Sequence, residues 1–479
     1  MKHLIYFLAA FVLLISAKSD TKYYNEKFRP QYHFSPQKNW LFESNGIVFY
    51  RGEYHLFHQN ISIDNKLSNS QLGHSVSKDL IHWKHLPNAI TPDEKANDMA
   101  SCRAVAGSAV IDSMNVSGLQ QKEEKTMLLF YSDSEGNQNL AFSNDKGNTW
   151  TKYSKNPVLI TPGEEARDPK VFYYPPTRKW ILAIYKGRPI NSKGAGISFY
   201  SSKDLLHWEF GSHLEGFSEC PDIFEVAFEG KSPEKKWVVL SGSGDYKVGS
   251  FDGTSFKPET GMQKLDYGKN FYASQTVFNA PGSKVIQMAW MKGGEYPDMA
   301  FNGQMSFPVE LKLRSTKKGP VLCRRPIPAI SSLFDHEVIK KNKNIIPGLN
   351  DNLLGGIKGD AIYIKAVLLP KTSDSFGFIV RNGKQSNGTD IHYDTAKKIL
   401  DVNGIKVTVE PIDGKIEFEI LVDRSSIEIF INGGEMAIST CFLPAPKEEG
   451  LLLYSQGGEL FVESLEVHSL KTAWSNKPN

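Results

Sequence analysis

The chain has 479 residues, 40% of them hydrophobic and 11% aromatic, with 56 Lys and Arg against 53 Asp and Glu. That length exceeds one ordinary core and implies about two domains. A net charge of +3, with acids and bases nearly equal, gives no support for nucleic-acid binding through a basic face or for a polybasic membrane patch.

Residues 1–19 read as a secretory signal. Lys2 and His3 form a short n-region, Leu4 to Ile15 is almost wholly apolar, and Ala17-Lys18-Ser19 offers small residues for cleavage. The apolar run is short for a span, and no later stretch is long enough to cross a bilayer. The expected mature chain has no membrane span and is secreted or periplasmic. Cys102, Cys220, Cys323 and Cys441 are far apart. They indicate neither a zinc site nor a dense disulfide scaffold. Asn60, Asn115 and Asn387 open N-glycosylation sequons.

In residues 33–46 one acid, Glu43, sits among Phe34, Trp40, Leu41 and Phe42, and Asn45-Gly46 supplies a turn signal. Aromatic rings that stack on a sugar beside a reactive carboxylate would look like this. So would an edge-strand acid beside a core Trp. Residues 47–57 then read as a hairpin turning at Arg51-Gly52. Apolar runs at 127–131, 180–185, 237–240 and 285–290 read as buried strands. Convincing amphipathic helices are missing.

An internal repeat orders this region. Ser77-Lys78-Asp79-Leu80-Ile81-His82-Trp83 recurs as Ser202-Lys203-Asp204-Leu205-Leu206-His207-Trp208, with looser copies around Asp145 and Asp252. A unit of about 50–65 residues with four strands is the size of a propeller blade. Ser315–Pro320 and Lys340–Asn344 are polar and basic and read as linker and solvated loop. Beyond them short alternating segments recur at 361–367, 376–380, 416–422, 426–431 and 451–454, the pattern of a sandwich. The expected fold is all-β: a five-bladed β-propeller over 28–320, then a C-terminal β-sandwich over 335–472.

A propeller brings distant acids to one axis. Beside Glu43, two acids have unusual settings: Asp168 in Arg167-Asp168-Pro169 and Glu219 in Glu219-Cys220-Pro221. Arg167 can keep a carboxylate ionised and donate to a sugar hydroxyl. Asp222 and Glu225 are local rivals of Glu219. Cys220 reads as a small packing residue, and His33, His55, His58 and His74 as packing or hydrogen-bonding residues. His55 and His58, three apart in a strand, face opposite sides. No metal and no cofactor are expected.

The order Trp-x-x-acid-x-Asn-Gly, Arg-Asp-Pro, Glu-Cys-Pro resembles glycoside hydrolase family 32, the invertases, inulinases and levanases. His33-Phe34-Ser35-Pro36, Asp266–Ala273, Gly303–Ser306 and Val422–Glu428 extend the resemblance over nearly the whole mature chain. It implies a retaining hydrolase of β-fructofuranosidic bonds in fructan, fructo-oligosaccharide or sucrose. Glu43 falls at the nucleophile, Asp168 at the transition-state stabiliser and Glu219 at the acid/base. The expected substrate contacts are Trp40, Asn45, Gln59, Arg167 and Trp290; Trp290 equally suits blade core. Retention requires the two reacting carboxyls about 5–5.5 Å apart and a Glu219 pKa raised by its surroundings.

The chain also departs from the family. Trp40-Leu41-Phe42-Glu43-Ser44-Asn45-Gly46 stands where the family reads Trp-Met-Asn-Asp-Pro-Asn-Gly. Leu72, Val105-Ala106 and Asn270 are further exchanges, and most fall where the family holds the terminal fructose. Two other readings therefore stand: a non-catalytic or weakly active carbohydrate-binding relative, or a hydrolase of the same fold on another furanoside. The expected partner is an oligo- or polysaccharide. The sequence is silent on oligomeric state.

Overall fold

The four Asp repeats occupy one structural position, the turn between the third and fourth strands of a sheet. Asp79 Oδ1 accepts the backbone N–H of Ile81 (2.9 Å) and His82 (2.8 Å), while Trp83 Nε1 donates back to Leu80 O at 3.0 Å. Asp204 takes Leu206 and His207 in the same way, at 2.9 and 2.8 Å. A short acid that satisfies its own turn, followed by an aromatic returning to the sheet, makes each copy self-contained.

The computed structural model describes residues 23–62, 70–91, 105–161, 165–187, 194–230, 234–317, 319–348, 352–384, 386–445 and 447–474. The expected signal segment and Cys102 lie outside them. Among the described residues helix is limited to short 3-10 turns, such as Pro175–Thr177 and Pro328–Leu333.

The N-terminal part forms five sheets of four or five strands. Their first strands are Asn39–Tyr50, Val105–Asp112, Ala166–Tyr174, Asp222–Ala227 and Phe271–Thr276, gathered around one axis. Polar links tie them together there. Lys170 Nζ meets Asp222 Oδ1 at 2.9 Å and Thr276 O at 3.0 Å, and Gln275 Nε2 donates to Gly107 O at 3.0 Å. Phe301–Asn302 pairs in parallel with Asn39 and Trp40, so a late segment closes the first sheet. The expected strands at 127–131, 180–185, 237–240 and 285–290 all lie in this part.

Two expectations need correction. Ser315–Pro320 is no linker. Its residues Ser315, Thr316, Gly319 and Pro320 belong to the paired strands Val309–Thr316 and Gly319–Pro326 of the fifth sheet, at the junction where the other four sheets carry the Asp motif. The fifth copy lacks the acid, so its turn looked like a domain boundary. Lys340–Asn344 is no loop either. It belongs to the edge strand Phe334–Ile345, paired with Leu460–Leu470. Its exposed Lys and Asn residues are what a sheet edge carries to avoid pairing with other chains.

The C-terminal part stacks a six-stranded on a five-stranded sheet. Ile364, Phe378, Ile420, Ile429 and Val467 fill the space between. The two parts meet through buried polar groups. His33, 0% exposed, reaches Asp423 Oδ2 through Nδ1 and Glu428 Oε2 through Nε2, each at 2.8 Å. Asp423 also accepts the N–H groups of Gln31 and Tyr32, and Glu428 that of Phe307. Burial alone would lower the His33 pKa, but the two carboxylates push it up to about 9. The bridging imidazole is therefore a cation.

Candidate active site

Glu43 owes its position to two consecutive bulges. Leu41 pairs with Asn60 and Ser44 with His58, so Phe42 and Glu43 together oppose Gln59 alone. Ser44 pairs with His58 and Ile47 with Leu56, so Asn45 and Gly46 oppose Phe57 alone. The stretch is thus one strand, Asn39–Tyr50, and not a strand entered after a turn at Asn45-Gly46. Each bulge re-aims the side chains that follow it. Gly46, at φ +124°, lies so close to the next sheet that a Cβ would stand 2.5 Å from Ala109 N. Only glycine permits that approach.

The same device recurs at two other inner strands, Ala166–Tyr174 and Phe271–Thr276. Lys170 pairs with Ala183 and Arg167 with Tyr185, leaving Asp168 and Pro169 opposite Ile184. Tyr272 pairs with Trp290 and Gln275 with Met288, leaving Ala273 and Ser274 opposite Ala289. Asp168, Cys220 and Ala273 adopt φ of +62°, +56° and +46°. Such backbone is costly for non-glycine residues and clusters at functional sites.

Two of the three predicted acids, Glu43 and Asp168, converge on Cys220, and Arg167 ties the third, Glu219, to Asp168. The Cys220 Sγ donates to Glu43 Oε2 at 3.2 Å and to Asp168 Oδ2 at 3.4 Å, and its backbone N–H donates to Asp168 Oδ2 at 2.9 Å. Cys220 is thus a donor to two carboxylates, beyond the packing role expected of it. Arg167 Nε and Nη2 both reach Glu219 Oε2 at 2.8 Å, and Nη1 meets Glu165 Oε1 at 2.7 Å. Tyr272 OH donates to the other oxygen of Glu219. Lys292 Nζ lies 3.8 Å from the centroid of the Tyr272 ring. Asp168 is buried, whereas Glu43, Arg167, Glu219 and Tyr272 keep open surface.

The electrostatics reverse one expectation. Burial, then Asp168, pushes the Glu43 carboxyl well above the usual range, against the pull of the Cys220 thiol. Burial also raises Asp168, opposed by the Cys220 N–H and Arg167. Burial acts upward on Glu219 too, but Tyr272, Arg167 and Lys292 outweigh it and hold that carboxyl below its ordinary value. The expected raised pKa of Glu219 is therefore corrected for the unliganded site. Glu219 faces two cations and a phenol, whereas Glu43 faces another acid.

The other expected residues divide. Gln59 is buried opposite the Phe42–Glu43 bulge. Trp40 and Trp290 are half-buried, and the Phe42 ring lies 5.1 Å from that of Trp290 and 6.1 Å from that of Trp40. Trp290 also packs on the main core, the alternative role expected of it. Asn45 does not reach the open surface. It is 0% exposed in the unliganded site, turned by the second bulge against Gly107, and its side-chain amide has no hydrogen-bond partner among the described residues. Of the rivals to Glu219, Asp222 is 0% exposed and paired with Lys170, and Glu225 lies at the rim against Lys235 at 3.1 Å. Sequence reasoning missed Tyr272, Lys292 and the axial Lys170. Tyr272 lies inside a segment that matched the family, which was its only signal.

One cluster among the described residues has metal-ligand geometry: Glu43, Asp168 and Cys220 offer atoms within 4.8 Å of one another. Their chemistry disfavours a cation. The thiol is held protonated by burial and by the acids, and the Arg167 guanidinium lies 3.8 Å from Asp168. Thiolate, the metal-binding form, is absent from such a set. Two acids, a hydrogen-bonded third acid and a guanidinium suit acid/base and nucleophilic chemistry at a sugar.

Comparison with known proteins agrees. The glycosyl hydrolases family 32 N-terminal domain matches residues 33–326, and the family 32 C-terminal model matches residues 329–469. A levanase of Bacillus subtilis is 38% identical, over 100% of this chain and 76% of its own length. A second levanase, of a Bacillus species, is 33% identical and 53% covered. The chain thus spans about half to three quarters of these relatives. An extracellular exo-inulinase of Aspergillus ficuum is 27% identical over 94% of this chain and 96% of its own. Among solved structures, the exo-inulinase of Aspergillus awamori superposes with a TM-score of 0.83 over 94% of this chain and 100% of its own, at 24% identity. The Bombyx mori GH32 beta-fructofuranosidase does so at 0.72, with 26% identity over 94% and 95%. A propeller joined to a sandwich, three acids meeting at the propeller axis and both family models together make this chain a glycoside hydrolase belonging to glycosyl hydrolase family 32.

Proposed function

We propose that the protein is a secreted retaining hydrolase of β-fructofuranosidic bonds, acting on fructan, fructo-oligosaccharide or sucrose through a covalent glycosyl-enzyme. The observation that carries the reading is the meeting of Glu43 and Asp168 at Cys220, with Arg167 bridging from Asp168 to Glu219. Glu43 attacks the anomeric carbon. Glu219 protonates the departing oxygen and then activates water as base. Asp168 and Arg167 bind ring hydroxyls more tightly as positive charge builds in the transition state.

The resting protonation requires a rearrangement. Glu43 must be ionised to attack and Glu219 protonated to donate, the reverse of the unliganded preference. Arg167 provides the means. When its guanidinium turns from Glu219 to the sugar hydroxyls, Glu219 loses its main cation and its pKa rises. The proton released by Glu43 then has a place to go. Secretion rests on the reading of residues 1–19 and on the extracellular naming of the exo-inulinase relatives.

A second reading keeps the chemistry and changes the sugar. Phe42 packs on Trp290 where the family has an amide, and an apolar ring there suits a furanoside lacking one hydroxyl contact. The test is release of sugar from levan, inulin, sucrose and arabinan by the purified protein, with Glu219→Gln as control. Fructose from a fructoside, lost in the variant, supports the first reading. Release from arabinan alone supports the second. No turnover on any substrate overturns both.

A further inference from the structure

Apart from the acid cluster, a cleft of about 730 Å³ opens where the propeller meets the sandwich. Lys27, Lys269 and Arg381 line it, together with Ser386, Thr389 and Asn403; among the described residues no acid lines this cleft, while Asp360 and Glu449 line the adjoining one that shares Lys27 and Arg381. Its size is that of an ordinary small-ligand site. Lys27 and Lys269 are exposed, whereas the Arg381 side chain is 4% exposed.

Arg381 is the unusual residue. Its Nε and Nη1 are buried and have no hydrogen-bond partner among the described residues. The nearest acid, Asp360, stands 3.9 Å from Nη1. That carboxylate is already engaged: its Oδ2 accepts Arg424 Nε at 2.7 Å. Arg424 also donates to Glu26 O at 3.2 Å, so one arginine of the pair is satisfied and the other is not. A buried guanidinium with unmet donors is costly, and native proteins retain one where something else completes it. The backbone of Arg381 adds to the cost, with φ at +59°.

We propose that this cleft is a second ligand site, in which the Arg381 fork takes the oxyanion of a small ligand and Lys27 and Lys269 add long-range attraction. A planar fork facing a carboxylate, phosphate or sulfate makes two parallel charge-assisted hydrogen bonds. The hydroxyls of Ser386 and Thr389 and the amide of Asn403 supply neutral donors and acceptors for the body of the ligand. The site differs from the proposed hydrolytic site in both residues and charge, and does not depend on it.

Isothermal titration of the full-length protein at low ionic strength tests the proposal. The probes are sodium phosphate, sodium sulfate and sodium glucuronate, with glucose as the neutral control. We expect saturable one-site binding of at least one anion and none of glucose; the anion bound tightest separates an inorganic oxyanion from a sugar acid. Arg381→Met should weaken that binding about tenfold or more, the loss expected for a charge-assisted pair. Asp360→Asn, which removes the competing carboxylate, should tighten it. Absence of binding by all three anions overturns the proposal, as does equal affinity in wild type and Arg381→Met. Should Arg381→Met not fold, Lys269→Gln and Asp360→Asn decide. Weaker and tighter binding respectively support the site, and unchanged affinity in both overturns it.

Discussion

Shortening Glu43 to Asp tests the proposed nucleophile most directly. The carboxylate would withdraw along the side chain by one C–C bond, about 1.5 Å. In the wild type its Oε2 lies 3.2 Å from Cys220 Sγ, and retraction stretches that contact beyond hydrogen-bond range. The backbone cannot follow, because the bulge opposite Gln59 is locked between the Leu41–Asn60 and Ser44–His58 pairs. A reacting atom misplaced by about 1 Å costs roughly 10²-fold, or about 2.7 kcal/mol of transition-state stabilisation. Glu43→Asp should therefore lower kcat on the best fructoside about 100-fold and change KM little, because Arg167, Asp168 and the aromatic wall still bind substrate. Steady-state release of reducing sugar measures both parameters. Mass spectrometry of the Glu219→Gln variant with an activated fructoside, whose leaving group departs without a proton from Glu219, should show the protein plus one anhydro-sugar, attached at Glu43. A Glu43→Asp enzyme as active as wild type, or more active, refutes the reasoning. It would mean that the longer side chain is a handicap and not an adaptation to this pocket.

Other outcomes follow from the same geometry. Tyr272→Phe removes a donor that holds the Glu219 carboxyl low, so the limb of the kcat/KM pH profile that reports Glu219 should move to higher pH. Lys170→Met leaves Asp222, 0% exposed, without its ion pair. It should destabilise the propeller by about 3–5 kcal/mol, and the double change with Asp222→Leu should recover much of this in calorimetry. The His33 pKa is raised from 6.5 to about 9. The stability contributed by that cation is full below pH 6.5 and is lost as pH rises through about 9, a change of about 3 kcal/mol. Denaturant unfolding at pH 6 and pH 9.5 should show it, and His33→Gln should flatten the difference.

The order of strands, the blade repeat, the acids at 43, 168 and 219 and the family resemblance were legible in the sequence for a common reason. Each depends on neighbours within a few residues: an Asp that caps its own turn, an Arg beside an Asp, a run of alternating apolar residues. The fifth sheet escaped because its turn carries Lys317 in place of the acid, and the edge strand Phe334–Ile345 because exposure makes an edge as polar as a loop. The site's fine structure depended on contacts between residues far apart in the chain. Asn45 and Glu43 are two positions apart, yet the pair of bulges buries one and leaves the other partly open. Cys220 meets Glu43 across 177 residues. The sign of the Glu219 shift was likewise settled by Arg167, Tyr272 and Lys292, drawn from three other places in the chain. Local sequence chose which groups are present. Only the folded axis decided which of them face one another, and so which acid holds the proton.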